Sequence, residues 1–251
     1  MFKYKNLLLN IIIRALLRRL QIKFITEIMK NTLKEMLIGT ILGDAHIGKT
    51  GLDKAFITFE QSKKKLEYLK FLFELSEKEG LSLDELKTYS RNDSRYNKIN
   101  ESVYFRTRSL ESLKPLADMF LNNDGKKIIP SNIFELLTPR SLAFWIMDDG
   151  QQVKRGGVTL CTDSYKSEEV DTLREALKTN FNLITSIHKK SNKNSESIYE
   201  RIYINKSSLD NIKPLLKEHM HNSMLYKINE TPDSKIEEGD ITDIGSDIGD
   251  F

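Results

Sequence analysis

The chain carries one short segment twice, and that repetition restricts the folds open to it. Leu37-Ile38-Gly39-Thr40-Ile41-Leu42-Gly43-Asp44-Ala45 returns in character as Leu142-Ala143-Phe144-Trp145-Ile146-Met147-Asp148-Asp149-Gly150. Each copy is an apolar stretch of helical character that runs into an aspartate beside a small residue. An aspartate there is physically odd, because the negative end of the helix macrodipole already sits at that point and repels a further negative charge. One such residue is explained as a turn-former. Two, Asp44 and Asp149, at matching places in two copies, point to a cation as the reason for both.

The match extends well past the motif. With Asp44 set on Asp149, Phe56-Ile57-Thr58-Phe59-Glu60-Gln61-Ser62 falls opposite Val158-Thr159-Leu160-Cys161-Thr162-Asp163-Ser164, both alternating like strands. Apolar residues at helical spacing follow: Leu66, Leu69, Leu72 and Phe73 in one copy, Val170, Leu173, Ala176 and Leu177 in the other. Glu101-Ser102-Val103-Tyr104 answers Glu196-Ser197-Ile198-Tyr199, and Ser109 to Leu116 answers Ser208 to Leu215. Lys127 and Lys227 then follow Pro115 and Pro214 at nearly equal spacing. The chain reads as an internal duplication of α+β class, each half running helix, two strands, helix, two strands, helix. The halves are expected at 31–125 and 126–232, between a basic extension (1–30) and an acidic tail (233–251) that reads as disordered.

Composition suits a two-lobed globule. A hydrophobic share of 39% with 30% charged residues excludes both a chain disordered throughout and a membrane bundle. The apolar run from Leu7 to Leu17 is broken by Asn10 and Arg14 and is too short to span a bilayer, so no membrane partner is expected. Three readings of it stand together: an organelle-targeting segment, an added helix, or the remainder of an upstream reading frame. The single Cys161 excludes an internal disulfide and reads as a small core residue, and no Cys/His cluster suits zinc.

The net charge of +3 is unevenly spread. Bases gather where strands and their loops are expected: Lys87, Arg91, Arg95, Lys98, Arg106 and Arg108, then Lys189, Lys190, Lys193, Arg201 and Lys206, with Lys154 and Arg155 just after the second motif. Acids such as Glu74, Glu77, Glu168, Asp171 and Glu175 gather on the helices. Basic sheets with acidic helices point to a polyanion on the sheet face, with Tyr104, Tyr199 and Tyr203 among the outward strand residues.

Two equivalent helices in one chain are expected to pack about a pseudo-twofold axis. Gly39 and Gly43 lie four apart and allow a close approach, which brings Asp44 and Asp149 together. Two adjacent carboxylates repel unless a cation or a shared proton intervenes. Mg²⁺, a hard ion that takes oxygen ligands, removes the conflict and suits phosphodiester hydrolysis. Lys127 and Lys227 read equally as assistants to that reaction or as solvated lysines, and His46 reads more readily as a packed surface residue than as a site residue. Gly48-Lys49-Thr50 lacks the earlier glycine of a phosphate-binding loop.

These residues resemble the LAGLIDADG homing endonucleases, in particular the single-chain members with two motif copies, over roughly residues 32–230. The resemblance implies an αββαββα fold in each half, with two saddle-shaped antiparallel sheets straddling DNA and the motif helices at the interface. It places the metal at Asp44 and Asp149 with the carbonyls of Gly43 and Asp148, and the basic residues near the site at Lys127 and Lys227. The sequence departs from the family pattern at Phe144 and Trp145, which are bulky, and at Ala45, which replaces a glycine. The expected function is a Mg²⁺-dependent, intron-encoded endonuclease that cuts a long asymmetric double-stranded DNA site as a monomer. An organelle is the expected location, the mitochondrion ahead of the plastid. The rival is an RNA-binding intron maturase on the same fold, with intron RNA as partner. Both acids are kept, and a chain that only binds has no need of two mutually repelling carboxylates.

Overall fold

The computed structural model describes residues 31–81, 85–93, 98–191 and 198–231. The basic extension, the whole acidic tail, Arg95, Lys193 and the Glu196-Ser197 pair lie outside the described residues. Helix α1 (31–42) leads into β1 (His46–Thr50), β2 (Lys54–Ser62), α2 (Leu66–Lys78), β3 (Lys87–Asp93), β4 (Lys98–Arg106) and α3 (Lys114–Phe120). A short α4 (Ile133–Leu136) precedes the second run: α5 (Pro139–Asp149), β5 (Gly150–Gln152), β6 (Val158–Leu160), α6 (Ser167–Phe181), β7 (Thr185–Ser191), β8 (Ile198–Ile204) and α7 (Lys206–Lys217). The two four-stranded sheets have matching orders, β1-β2-β4-β3 and β5-β6-β8-β7, and every neighbouring pair is antiparallel. The αββαββα duplication expected from the repeat is the observed architecture.

Local chemistry explains the elements. In β2 the buried residues Ala55, Ile57 and Phe59 alternate with outward ones, so one face of the sheet meets its helices and the other is left open. α6 buries Val170, Leu173, Ala176 and Leu177, the helical spacing read from the sequence. α5 begins at a capping box: Ser141 N–H donates to the Thr138 hydroxyl at 3.2 Å, and Thr138 N–H donates to Ser141 Oγ at 2.7 Å. From Ser141 to Asp148 every residue of α5 is buried, as befits a central helix covered on all sides.

α1 and α5 meet across the glycines. A Cβ on Gly39 would lie 2.2 Å from the Ser141 carbonyl oxygen and 2.7 Å from Phe144 Cβ, and one on Gly43 would lie 2.5 Å from Asp148 Cβ. The contact is one-sided: α1 supplies the gaps, and α5 fills them with Phe144 and Asp148. Bulky residues in the second motif thus fit because the first has none at the facing positions. The buried apolar residues of both halves join in one core through this seam.

One expectation is corrected. β6 stops at Leu160, because the Thr162 hydroxyl donates to the Glu200 carbonyl and Asp163 is drawn to Arg201, which turns the chain out of the strand. Cys161 therefore sits half-buried at the strand end and is not a core residue. Leu121 bridges to Lys127 and Ile128 N–H donates to the Phe120 carbonyl at 2.9 Å, so Lys127, just past the expected boundary, folds back onto α3 of the first half. Among the described residues no helix is long and apolar enough to cross a membrane.

Gly39→Val would force the helices apart at their tightest point. We expect it to destabilise the protein by about 2 kcal/mol or more, the upper part of the range for overpacking. Urea unfolding checks this, and an unchanged midpoint would mean the helices do not close on Gly39.

Candidate active site at the ends of the paired helices

Asp44 lies in the turn between α1 and β1, and Asp149 is the last residue of α5 before β5. Both halves thus run from helix to strand through an acid, and the close α1–α5 seam puts the two ends together. Electrostatics records the crowding. Burial, then the Asp44 and Asp148 charges, pushes the Asp149 carboxyl up to about 8, and burial with Asp44 pushes Asp148 up to about 7. A cluster that holds protons near neutrality for want of positive charge is one that a cation relieves.

Lysine positions follow the repeat. Lys127 Nζ donates to the carbonyls of Ile41 and Gly43, each at 2.8 Å. Lys227 Nζ donates to the carbonyl of Met147 and, at 2.8 Å, to that of Asp148. Each lysine therefore caps the orphan carbonyls of its own half's motif helix. Burial lowers both, Lys227 to about 8 with Lys65 as the second cause, while the aspartates act in the opposite direction. These are not solvated lysines.

The oxygen donors gathered here fit a hard divalent cation. Asp44 presents an exposed carboxylate, Asp149 a partly buried one, and the Gly43 and Asp148 carbonyls each keep a second lone pair beside the lysine bond. Among the described residues no group of three His, Cys, Asp or Glu forms a candidate metal cage, so carbonyls and water would have to complete the shell. Asp148 contributes its carbonyl to this group but not its carboxylate. Its side chain turns into the gap left by Gly43, where Oδ1 accepts from Tyr68 Oη at 2.9 Å and from Gln61 Nε2 at 3.2 Å.

Sequence reasoning passed over four residues. Gln61 donates to Asp44 Oδ2 at 3.1 Å as well as to Asp148. Tyr68, buried in α2, reaches across to the second half, and Tyr165 returns the contact by donating to the Leu42 carbonyl at 3.1 Å. Lys65 lies close enough to act on Lys227 and Asp148. Gln61 did carry a signal, being a polar residue in the buried register of β2 after Ala55, Ile57 and Phe59.

Strand alternation sorts the predicted basic residues. Lys87, Tyr89 and Arg91 share a face with Tyr104 and Arg106, opposite the buried Val103 and Phe105. In the second sheet His188 and Lys190 share a face with Tyr199, Arg201 and Tyr203, opposite the buried Ile202 and Ile204. Neighbouring strand residues point to opposite faces, so Lys189 is on the helix side, 3.8 Å from Glu200, and off the open face. Arg108 is also off it, with its guanidinium donating to the Gly80 carbonyl beyond α2. Arg201 points outward but is clamped by Asp163, with Nε 2.6 Å from Oδ1, and donates to Gln151 at 3.1 Å. Arg106 lies 3.3 Å above the Phe56 ring, while Lys154 and Arg155 are exposed in the β5–β6 turn. His46 is exposed on the open face beside Phe56, with ring centroids 6.0 Å apart.

The family model of the LAGLIDADG DNA endonuclease family matches residues 34–212. The chain belongs to that family. It is 34% identical over 174 residues to the probable intron-encoded endonuclease 1 of Wickerhamomyces canadensis, covering 66% of this chain and 72% of that one. It is 27% identical over 221 residues to the cytochrome b mRNA maturase bI2 of Debaryomyces hansenii, covering 88% and 82%. Among solved structures it is similar to the homing endonuclease I-WcaI bound to its DNA recognition sequence, with a TM-score of 0.67, 29% identity and coverage of 79% and 86%. Both names, endonuclease and maturase, therefore occur among this LAGLIDADG chain's relatives.

The raised aspartates fix a pH response. Both titrate near 4 in an unfolded chain, so between about pH 4 and pH 8 the folded protein holds more protons and its stability falls as pH rises. The lowered Lys227 acts with the opposite sign, but only above about pH 8. We expect the Tm of the metal-free protein to fall from pH 5 to pH 8, Asp149→Asn to flatten the fall, and Mg²⁺ to stabilise most at pH 8. A flat metal-free profile would contradict a crowded acid pair.

Proposed function

We propose that this LAGLIDADG protein is an intron-encoded, site-specific DNA endonuclease that hydrolyses both strands of a long asymmetric duplex with Mg²⁺. The observation that carries the reading is the pair Asp44 and Asp149, brought together at one end of the α1–α5 seam while each helix end also carries a buried lysine. The open faces of the two sheets, with Arg91, Arg106, Lys190 and Arg201 on them and Lys154 and Arg155 in the adjoining turn, suit the phosphates and major-groove edges of a duplex. When bound, Mg²⁺ held by Asp44 and Asp149 with the carbonyls of Gly43 and Asp148 supplies an activated water and charge stabilisation at the phosphodiester. The chain's own part is to fix those oxygens. Lys127 and Lys227 hold the carbonyls in place and keep ammonium charge beside the developing negative charge of the phosphate. Arg201, locked by Asp163, presents a fixed donor array. An organelle, the mitochondrion first, is the proposed location.

The maturase reading stays as the second proposal because a relative matching most of the chain bears that name. The acids weigh against it as the sole activity. A protein that only holds RNA gains nothing from crowding Asp44 against Asp148 and Asp149, whose carboxyls burial and the Asp44 charge push up towards neutrality.

Asp44→Asn and Asp149→Asn should each abolish cleavage of the wild-type target while DNA affinity stays within about tenfold, and chelation of divalent ions should do the same. Lys127→Met and Lys227→Met should slow single-turnover cleavage by roughly 10²-fold, the scale of one lost electrostatic stabiliser. Full cleavage by either asparagine variant would reject the assignment, and wild-type rates in the methionine variants would reduce the lysines to helix caps.

Both halves lie in one chain, so one protein should bind one asymmetric site. The longer strands, nine residues in β2 and β4 and seven in β7 and β8, span roughly 23–30 Å at ~3.3 Å per residue, or about 7–9 base pairs per half at ~3.4 Å per pair. Footprinting should show about 16 base pairs or more protected, and sedimentation one chain per duplex. Two chains per duplex, or protection of fewer than about 10 pairs, would defeat this arrangement.

A further inference from the structure

The two halves are not equally prepared for chemistry. The β1–β2 register pairs His46 with Thr58, and the β5–β6 register pairs Gln151 with Thr159. This register shifts the strand match by one residue from the sequence pairing of Gln61 with Asp163: Gln61 of the first half falls on Thr162 of the second, and both side chains are buried. Their bonds differ. The Gln61 amide spends its two N–H groups on two acids, Asp44 Oδ2 at 3.1 Å and Asp148 Oδ1 at 3.2 Å. An ionised carboxylate has no proton to donate, so the amide turns its NH₂ towards both partners. Asp148 is fixed in turn, by Tyr68 Oη at 2.9 Å and by its seat in the gap over Gly43. Thr162 is too short to span such a distance and donates instead to the Glu200 carbonyl. Among the described residues no hydrogen bond holds the Asp149 carboxylate. The same motif position is Gly43 in one half and Asp148 in the other, and that difference together with Gln61 against Thr162 creates the clamp.

We propose that Asp148, acting through Gln61 and together with Tyr68, is a positioning residue that fixes Asp44 before DNA arrives, and that this one-sided clamp makes the protein cut the two strands in a fixed order. The strand served by Asp44 goes first. The inference rests on the endonuclease reading. A carboxylate already in its working rotamer pays no ordering cost when substrate binds, whereas Asp149 must be ordered then, and small errors of placement lower the rate steeply. The clamp crosses the seam, from Gln61 and Tyr68 of one half to Asp148 of the other, so it also ties the first acid to correct docking of the halves.

The test uses a duplex cut by the wild-type protein, selected from a randomised double-stranded library in Mg²⁺, with each strand labelled separately. Wild-type protein should accumulate a nick in one strand, with single-turnover rates differing by about fivefold or more. Tyr68→Phe and Gln61→Leu should slow the first-cut strand and bring the ratio towards one, leaving the rate on a duplex pre-nicked in that strand unchanged. Thr162→Val should leave the first-cut strand's rate at the wild-type value. A second readout needs no metal: Tm shifts of Tyr68→Phe and Asp148→Asn should be non-additive in the double variant. Equal wild-type rates on the two strands, equal slowing of both strands, or additive Tm shifts would overturn the clamp while leaving the endonuclease reading intact. Failure to cut any duplex would overturn the endonuclease reading, and the cutting order with it.

Discussion

The close approach of α1 and α5 is the contact on which the rest of the structure depends. It is available only because Gly39 and Gly43 lack side chains at the two points where α5 brings Ser141, Phe144 and Asp148 against them. The seam merges two half-cores into one, places the helix ends side by side and so sets the separation of Asp44 and Asp149. Overlapping atoms would repel steeply at such distances, so the geometry is a hard constraint rather than a preference. Asp44, Asp149 and the two lysines that cap the helix ends gather at one end of this seam.

That placement has an electrostatic cost which the surrounding residues partly offset. Three aspartates at two helix C-termini add negative charge where two macrodipoles already point their negative ends. Lys127 and Lys227 answer by placing ammonium groups on the terminal carbonyls of each helix, and Tyr68 and Gln61 answer by donating to Asp148. The compensation is incomplete, as the raised Asp148 and Asp149 show. Residual repulsion of this kind is poor for stability and useful for holding a cation.

Pseudo-symmetry explains much of the fold and little of the site's detail. Sheet orders, helix faces and capping lysines repeat almost element for element. The departures cluster at the interface: glycine against aspartate just before the motif's acid, Gln61 against Thr162, and Phe144 with Trp145 against Gly39 with Thr40 at the seam. A duplicated chain is free to diverge in this way, because each residue occurs once and need suit only one environment. On the open faces the same freedom gives Arg106 over Phe56 in one sheet and His188 stacked on Tyr203, with centroids 4.9 Å apart, in the other.

The repeat alone determined the order of elements, because periodicity, helix capping and turn residues act over a few positions and are written locally. It also determined the acids, since an aspartate at a helix end is conspicuous against the dipole, and the pairing of Lys127 with Lys227. Tertiary structure decided what depends on which way side chains point and on what lies across the seam. Lys189 and Arg108 were basic in sequence yet fall off the open face, since one residue's shift in a strand reverses its side. Cys161 left the core because Thr162 and Asp163 found partners in β8. The Asp148 side chain is a buried acceptor for Tyr68 and Gln61, partners from the other half that no local pattern names. Those contacts join residues about 80 positions apart or more, and only the packed helices bring them within a hydrogen bond of each other.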